Sequence, residues 1–196
     1  MKILNGNLII LKEYIKGETL TDYLNNQKVD IKFFYHLSCE ICDTLNLLHS
    51  IPTPIIHRDI KPDNIIITPN KTPYLIDFNS AKFYDSNESR DTVLLGTEGF
   101  AAPEQYGFGA STPLTDIYAF GALIDKILPY FDNETLTKKI KPIIEKCCKI
   151  DSLDRYKNIK LVKNDIQNKE FYIRFWLIPG FRNNNIFHML IATFFY

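Results

Sequence analysis

The chain has 196 residues, 45% of them hydrophobic, which is enough to bury a sizeable core in one domain. Lysine plus arginine number 23 and aspartate plus glutamate number 23, so net charge gives no case for nucleic acid, and none is expected as a partner. Cys39 and Cys42 are three apart in a helical pattern and adjacent Cys147 and Cys148 lack the paired spacing of a zinc site, so the four read as reduced thiols, and no basic-then-apolar leader opens the sequence.

In chain order, residues 7–14 form a strand-like run, and residues 15–20 break it before a helix that begins near Thr21. Residues 32–50 place Phe33, Phe34, Leu37, Ile41, Leu45 and Leu48 at spacings of three and four, which predicts a buried amphipathic helix. Pro52 and Pro54 stop it. His36 and His49, in or near that helix, read as packing or surface residues. The runs 65–68 and 72–76, β-branched and aromatic and separated by Pro69-Asn70-Lys71, predict a hairpin. Residues 80–95 have few core-forming side chains until their end, and Ser86, Ser89 and Thr92 sit among charges. Apolar helices are predicted over 114–128, closed by Pro129, and over 135–149, with Leu136, Ile140, Ile143, Ile144 and Cys147 along one face. A last helix is expected over 157–169.

The chemistry concentrates in His57-Arg58-Asp59-Ile60-Lys61-Pro62-Asp63-Asn64 and in Asp77-Phe78-Asn79. Asp59 can orient an attacking hydroxyl, Lys61 can meet phosphoryl oxygens, and Asn64 and Asp77 can hold magnesium, so the set reads as a phosphoryl-transfer centre. The predicted hairpin folds Asp77 back beside Asn64, where two oxygen ligands distant in sequence can share one hard cation.

Four ordered motifs carry a resemblance: H-R-D-x-K-x-x-N at 57 to 64, D-F-x at 77 to 79, G-T-x-G-F-A-A-P-E at 96 to 104, and D-x-Y-x-F-G at 116 to 121. Together they resemble a Hanks-type serine/threonine protein kinase of the bacterial kind. The fold this implies is mainly α with short β-hairpins, the large lobe of a protein kinase, with ATP and Mg2+ as cofactors and a protein as substrate. The run 7–14 and the break over 15–20 resemble the hinge between lobes, where the backbones of Glu13 and Ile15 would bond the adenine edge and Lys12 would be the gatekeeper. Ile66 and Lys61 are further nucleotide contacts by the same resemblance. It implies that His57 packs beneath the metal loop, supports Phe78 and is no base; that Asp116 caps the catalytic-loop backbone; that Thr97 bonds Asp59 and Lys61; and that Arg155 pairs with Glu104. Residues 80–95 become the activation loop, and Arg58 would pair with a phosphate on Ser86, Ser89 or Thr92. Asn79 stands where the family usually has glycine; asparagine tolerates left-handed conformations, so the loop geometry should survive with less freedom to switch.

The expected organisation is a remnant strand and hinge over 1–16, a large lobe over 17–169, and a tail over 170–196. Before the hinge Gly6 is the sole glycine, and no V-A-I-K-like run occurs anywhere, so the chain resembles a kinase without its small lobe. The tail is first aromatic and basic and then apolar over residues 186–196, too few to cross a bilayer. It reads either as a juxtamembrane start that contacts membrane on the cytoplasmic side or as a terminal helix packed on the lobe. Three functions remain open at this stage: a serine/threonine kinase that is truncated and works poorly or not at all alone, a non-catalytic module that binds a partner kinase or substrate, and a small-molecule phosphotransferase. Lys61, the 96–104 segment and Arg155 argue against the last, since they build a platform for protein substrates.

Overall fold

The computed structural model describes residues 2–4, 7–9, 13–86, 90–91 and 96–176, with side chains from residue 13 to residue 170 within these ranges. Lys12, Ser89, Thr92 and the tail beyond Trp176 lie outside the described residues.

The chain opens with a short antiparallel hairpin, β1 (Lys2–Leu4) and β2 (Asn7–Ile9), in which Ile3 faces Leu8. The expected strand over 7–14 is therefore shorter, and residues 13–16 have no regular structure. A second difference follows at once: Glu18–Thr19, expected to break structure, is strand β3. Gly17 explains it, because a Cβ there would stand 2.4 Å from the Ile67 carbonyl oxygen, so glycine lets this edge approach its neighbour.

Helix α1 (Leu20–Asn26) starts at Thr19, whose hydroxyl accepts from the Asp22 N–H at 3.1 Å. Helix α2 (Ile31–Ser50) is capped by Asp30, whose carboxylate accepts from the Phe33 N–H at 2.8 Å, and buries Phe33, Phe34, Leu37, Ile41 and Leu45 on one face. Beyond it come β4 (Ile55–Ile56), β5 (Ile65–Ile67), β6 (Pro73–Leu75) and β7 (Lys82–Phe83). The predicted hairpin is β5 and β6, with Ile66 opposite Tyr74, and β3 adds to its other edge to give the order β3-β5-β6. β4 pairs with β7.

Helix α3 (Pro113–Ile127) has proline at its first position, where a missing N–H costs nothing, and Thr112 as its cap. It lies in the core beside α4 (Glu134–Cys147), and Gly121 permits their contact: a Cβ there would meet the Cys147 Cβ at 2.5 Å. Helix α5 (Ile159–Trp176) buries Ile159, Val162 and Ile166 and packs on α2, where Lys163 bonds Asp43 at 2.6 Å. It runs past the expected end at 169, since no proline or glycine interrupts it before Pro179. The architecture is mainly α with short hairpins, and one apolar cluster joins α1 to α5. Among the described residues no helix is long and apolar enough to cross a membrane.

Candidate active site

The centre is built on the loop between β4 and β5. Its backbone is fixed by one carboxylate: Asp116, in the first turn of α3 and 0% exposed, accepts from the His57 N–H and the Arg58 N–H, each at 2.9 Å. The same carboxylate faces His49 Nε2, from the end of α2, at 2.8 Å. His49 is thus a ligand of the loop's anchor and not the plain packing or surface residue expected of it. These bonds hold Arg58 at φ 68, a left-handed conformation that costs a non-glycine residue roughly 1–2 kcal/mol.

His57 is fully buried, and its two ring nitrogens are both used. Nδ1 accepts from the Asp59 N–H at 3.3 Å, which leaves Nε2 to donate to the Ile76 carbonyl at 3.1 Å. Burial pushes its pKa down, more than Asp116 and the Ile76 carbonyl push it up, so the ring is neutral near pH 7. The Phe78 ring meets it edge to face, with centroids 4.7 Å apart.

Four side chains converge beside this loop. Asp59 Oδ1 accepts from the Thr97 hydroxyl at 2.6 Å, and its Oδ2 lies 2.9 Å from Lys61 Nζ. Lys61 Nζ also donates to the Thr97 hydroxyl at 2.8 Å, closing a triangle. Asn64 Nδ2 donates to the Asp59 carboxylate and to the Asp59 carbonyl, both at 2.8 Å. Burial alone would raise the Asp59 pKa, but the bonds from Thr97, Lys61 and Asn64 outweigh it and hold the carboxyl below its usual range.

Register in the hairpin brings the second cluster alongside. The Ile76 N–H donates to the Asn64 carbonyl at 2.9 Å, which sets exposed Asp77 next to Asn64. Asp77 itself takes the left-handed conformation, φ 61, and its side chain accepts from the Asn79 N–H at 3.3 Å. Asn79 lies in a short 3-10 turn, Phe78–Ser80, and needs no left-handed backbone, so the tolerance expected of residue 79 is required of residue 77 instead. Asp77 meets it with a local side-chain bond of the Asx kind. Both amide bonds of Asn64 go to Asp59, which leaves its amide oxygen, with the Asp77 carboxylate, as a hard-oxygen set.

The segment after Thr97 is tied to the same loop. Gln105 Nε2 donates to the Arg58 carbonyl at 2.8 Å, while Gln105 Oε1 accepts from the Ala102 N–H at 3.0 Å. Glu104 takes two bonds from Arg155, at 2.8 and 2.9 Å, and a third from the Thr115 hydroxyl at 2.8 Å. Arg58, expected to await a phosphate, already faces a carboxylate: its Nη1 lies 3.6 Å from Asp91 Oδ2. Ser86 is exposed.

The expected nucleotide contacts are more dispersed. Glu13 is exposed and Ile15 half-buried on the irregular run before β3, and Ile66 is half-buried between Thr19 and Tyr74 in the sheet. The sequence reading missed His49, Asp91, Gln105, Ser111 and Thr115. The contacts of His49 with Asp116, Gln105 with Arg58 and Ser111 with Asp91 span 67, 47 and 20 residues, which no local pattern marks, whereas Gln105 and Thr115 sit three residues after Ala102 and Thr112, a capping spacing that could have drawn attention to them.

A sequence profile described as "Protein kinase domain" matches residues 3–172. Among curated proteins the chain is similar to wall-associated receptor kinase 1 of Arabidopsis thaliana, 32% identical over 126 residues, which is 61% of this chain and 17% of that protein. It is also similar to a Dictyostelium discoideum protein named "Probable serine/threonine-protein kinase", 30% identical over 132 residues, 65% of this chain and 13% of that protein. The chain thus spans less than a fifth of the length of these relatives.

Proposed function

Because the chain belongs to the protein kinase domain family, we propose that it acts as the large lobe of a serine/threonine protein kinase, moving the terminal phosphoryl group of ATP onto a protein hydroxyl. One observation carries this reading: the Thr97 hydroxyl donates to Asp59 at 2.6 Å and accepts from Lys61 at 2.8 Å. A substrate serine or threonine hydroxyl needs the same polarity of environment, a carboxylate to receive its proton and a cation beside the oxygen.

In the proposed step Asp59 orients the hydroxyl and receives its proton as the oxygen bonds to phosphorus and the bond from phosphorus to the diphosphate leaving oxygen breaks. Lys61 meets the charge on the phosphoryl oxygens. Asn64, through its amide oxygen, and Asp77 would hold magnesium, which when bound neutralises phosphate charge. Glu13, Ile15 and Ile66 would receive the adenine. His57, Arg58, Phe78, Glu104, Asp116 and Arg155 position the loop and touch no reacting atom. The gathering of Asp59, Lys61 and Asn64 weighs against a purely non-catalytic module.

These 196 residues hold no glycine-rich phosphate loop and no V-A-I-K-like lysine, so this polypeptide alone is proposed to transfer phosphate weakly until a small lobe is supplied. The bacterial kind is suggested by motif wording alone; the relatives named above come from Arabidopsis and Dictyostelium. Membrane contact through residues 171–196 rests on the sequence of the tail, and co-flotation with liposomes, lost on ending the chain at Lys169, is its check.

The test of the catalytic reading is transfer of labelled phosphate to a protein substrate with a small lobe restored. Asp59→Asn should lower turnover by about 10²-fold or more. Undiminished transfer by that variant would overturn the reading.

A further inference from the structure

Helices α3 and α4 pack together, and between them opens a groove of about 780 Å3. Tyr118 and Ala122 of α3 and Ile144 and Cys148 of α4 line it, each pair one helical turn apart, so its walls are two apolar stripes. Tyr118 is fixed in place: the Arg155 guanidinium lies over its ring, 5.0 Å from the centroid, and the Cys148 thiol donates to its carbonyl at 3.7 Å. Phe100 adds to the lining together with Glu98 and Gly99, the residues that directly follow Thr97. Tyr118, Ala122, Cys148 and Phe100 are only half-buried, so apolar surface is left facing the groove. Ile150 lines this groove and also a neighbouring hollow of about 620 Å3 whose wall includes Phe108, and both side chains are 82% exposed. Large apolar side chains held out beside concave surfaces mark a face that binds protein. The charged residues of the groove are Glu98, Asp125 and Glu145 against Lys126, Lys141 and Lys149, so their charges cancel. Apolar burial, not a field of one sign, must then supply the affinity.

We infer that this groove docks the protein substrate by an apolar anchor: one large aliphatic or aromatic side chain, on the same chain as the accepting hydroxyl, seats between α3 and α4. The identity of the occupant rests on the phosphoryl-transfer reading above. In that reading the Thr97 hydroxyl stands where a substrate hydroxyl would, beside Asp59, so a chain presenting its own hydroxyl there passes residues 98–100 and enters the groove. From Tyr118 to Lys126 the α3 wall runs about 12 Å, a length that an extended chain covers in roughly four residues. With the stretch beside residues 98–100 added, the anchor lies roughly three to seven residues from the serine or threonine.

Fluorescence anisotropy on the full chain tests the groove with labelled peptides. Each has a central serine in a glycine and asparagine background and one tryptophan, placed at every position from three to seven residues on either side, and each is paired with the same peptide carrying alanine instead. Tryptophan should tighten binding about tenfold at neighbouring positions on one side of the serine. Because the groove's charges cancel, that gain should persist at high salt, and it should be the same in Asp59→Asn. Ala122→Trp fills the groove and should cut the gain below about threefold. Ile150→Asp, at an exposed position, should do likewise and serves if the first variant does not fold. No gain at any position, a gain that the folded variants keep, or one that vanishes at high salt would overturn the proposal. So would self-association of the full chain in sedimentation that Ile150→Asp abolishes, since the face would then be a contact between copies. Binding needs no turnover, so failure here leaves the role of Asp59 standing, and failure of the Asp59 assay leaves the groove standing.

Discussion

Arg155 and Glu104 are joined by two parallel bonds, Nη1 to Oε1 at 2.8 Å and Nη2 to Oε2 at 2.9 Å, and the guanidinium has no donor left over. Its other N–H groups reach the carbonyls of Lys149 at 2.8 Å, Leu114 at 3.0 Å and Ile150 at 3.2 Å. The five donors of arginine are thereby all placed. The Arg155 side chain is 0% exposed, so removing its partner leaves a buried charge. Glu104→Ala and Arg155→Ala are each expected to cost about 3–5 kcal/mol in urea unfolding. Arg155→Lys should recover little, since an ammonium cannot reproduce the fork. A cost below about 1 kcal/mol for either alanine variant would show the pair to be dispensable.

The same pair sets a pH limit. Burial alone would raise the Glu104 pKa, but the bonds from Arg155 and Thr115 prevail and place it below the ordinary value. A carboxyl with a depressed pKa in the folded state contributes stability that is complete above its unfolded pKa and is lost as pH falls through the folded one. Asp59 and Asp91 are shifted in the same direction. Urea midpoints should therefore be flat at neutral pH and fall below roughly pH 4. Glu104→Gln, though less stable throughout, should show a shallower acid slope. An unchanged slope would remove Glu104 from the account.

Asp116 yields a third expectation. In Asp116→Asn one accepting oxygen becomes an NH2 that confronts the N–H groups it used to receive, and the site is fully buried. The loss should be about 2–4 kcal/mol. His49→Phe keeps the bulk but removes the Nε2 contact, and should cost about 1–3 kcal/mol. If the two effects add fully in the double variant, the residues are not coupled; a double variant no worse than Asp116→Asn alone is the expected outcome of this cycle.

What the sequence made legible was local. The β5–β6 hairpin could be read because two β-branched runs flank a turn segment, and helices α2 to α4 because their apolar residues recur at three and four. The chemistry of residues 57–64 and 77 could be read from residue types. β3 could not, because a two-residue strand has no pattern of its own and exists through pairing with β5. His49 was opaque for a similar reason: its partner is 67 residues away, and a histidine ending an amphipathic helix looks like any other. The left-handed backbone fell on Asp77 instead of Asn79 because a 3-10 turn begins there, a choice made by tertiary packing.

The carboxylate that organises the loop also has a consequence for the order in which the molecule assembles. Asp116 reaches back 67 residues to His49, 59 to His57 and 58 to Arg58. Contacts of that span are entropically expensive to close and give nothing back until both ends are already near each other. The α2–α3 contact spans as much chain, but burying apolar side chains offsets that cost where single hydrogen bonds of about 1 kcal/mol do not, so the loop at 57–59 is expected to be moulded only after α3 has packed into the core. In refolding, helix content should return ahead of the catalytic loop, and a chain caught part-way would be compact, well packed around α2 and α3, and chemically silent.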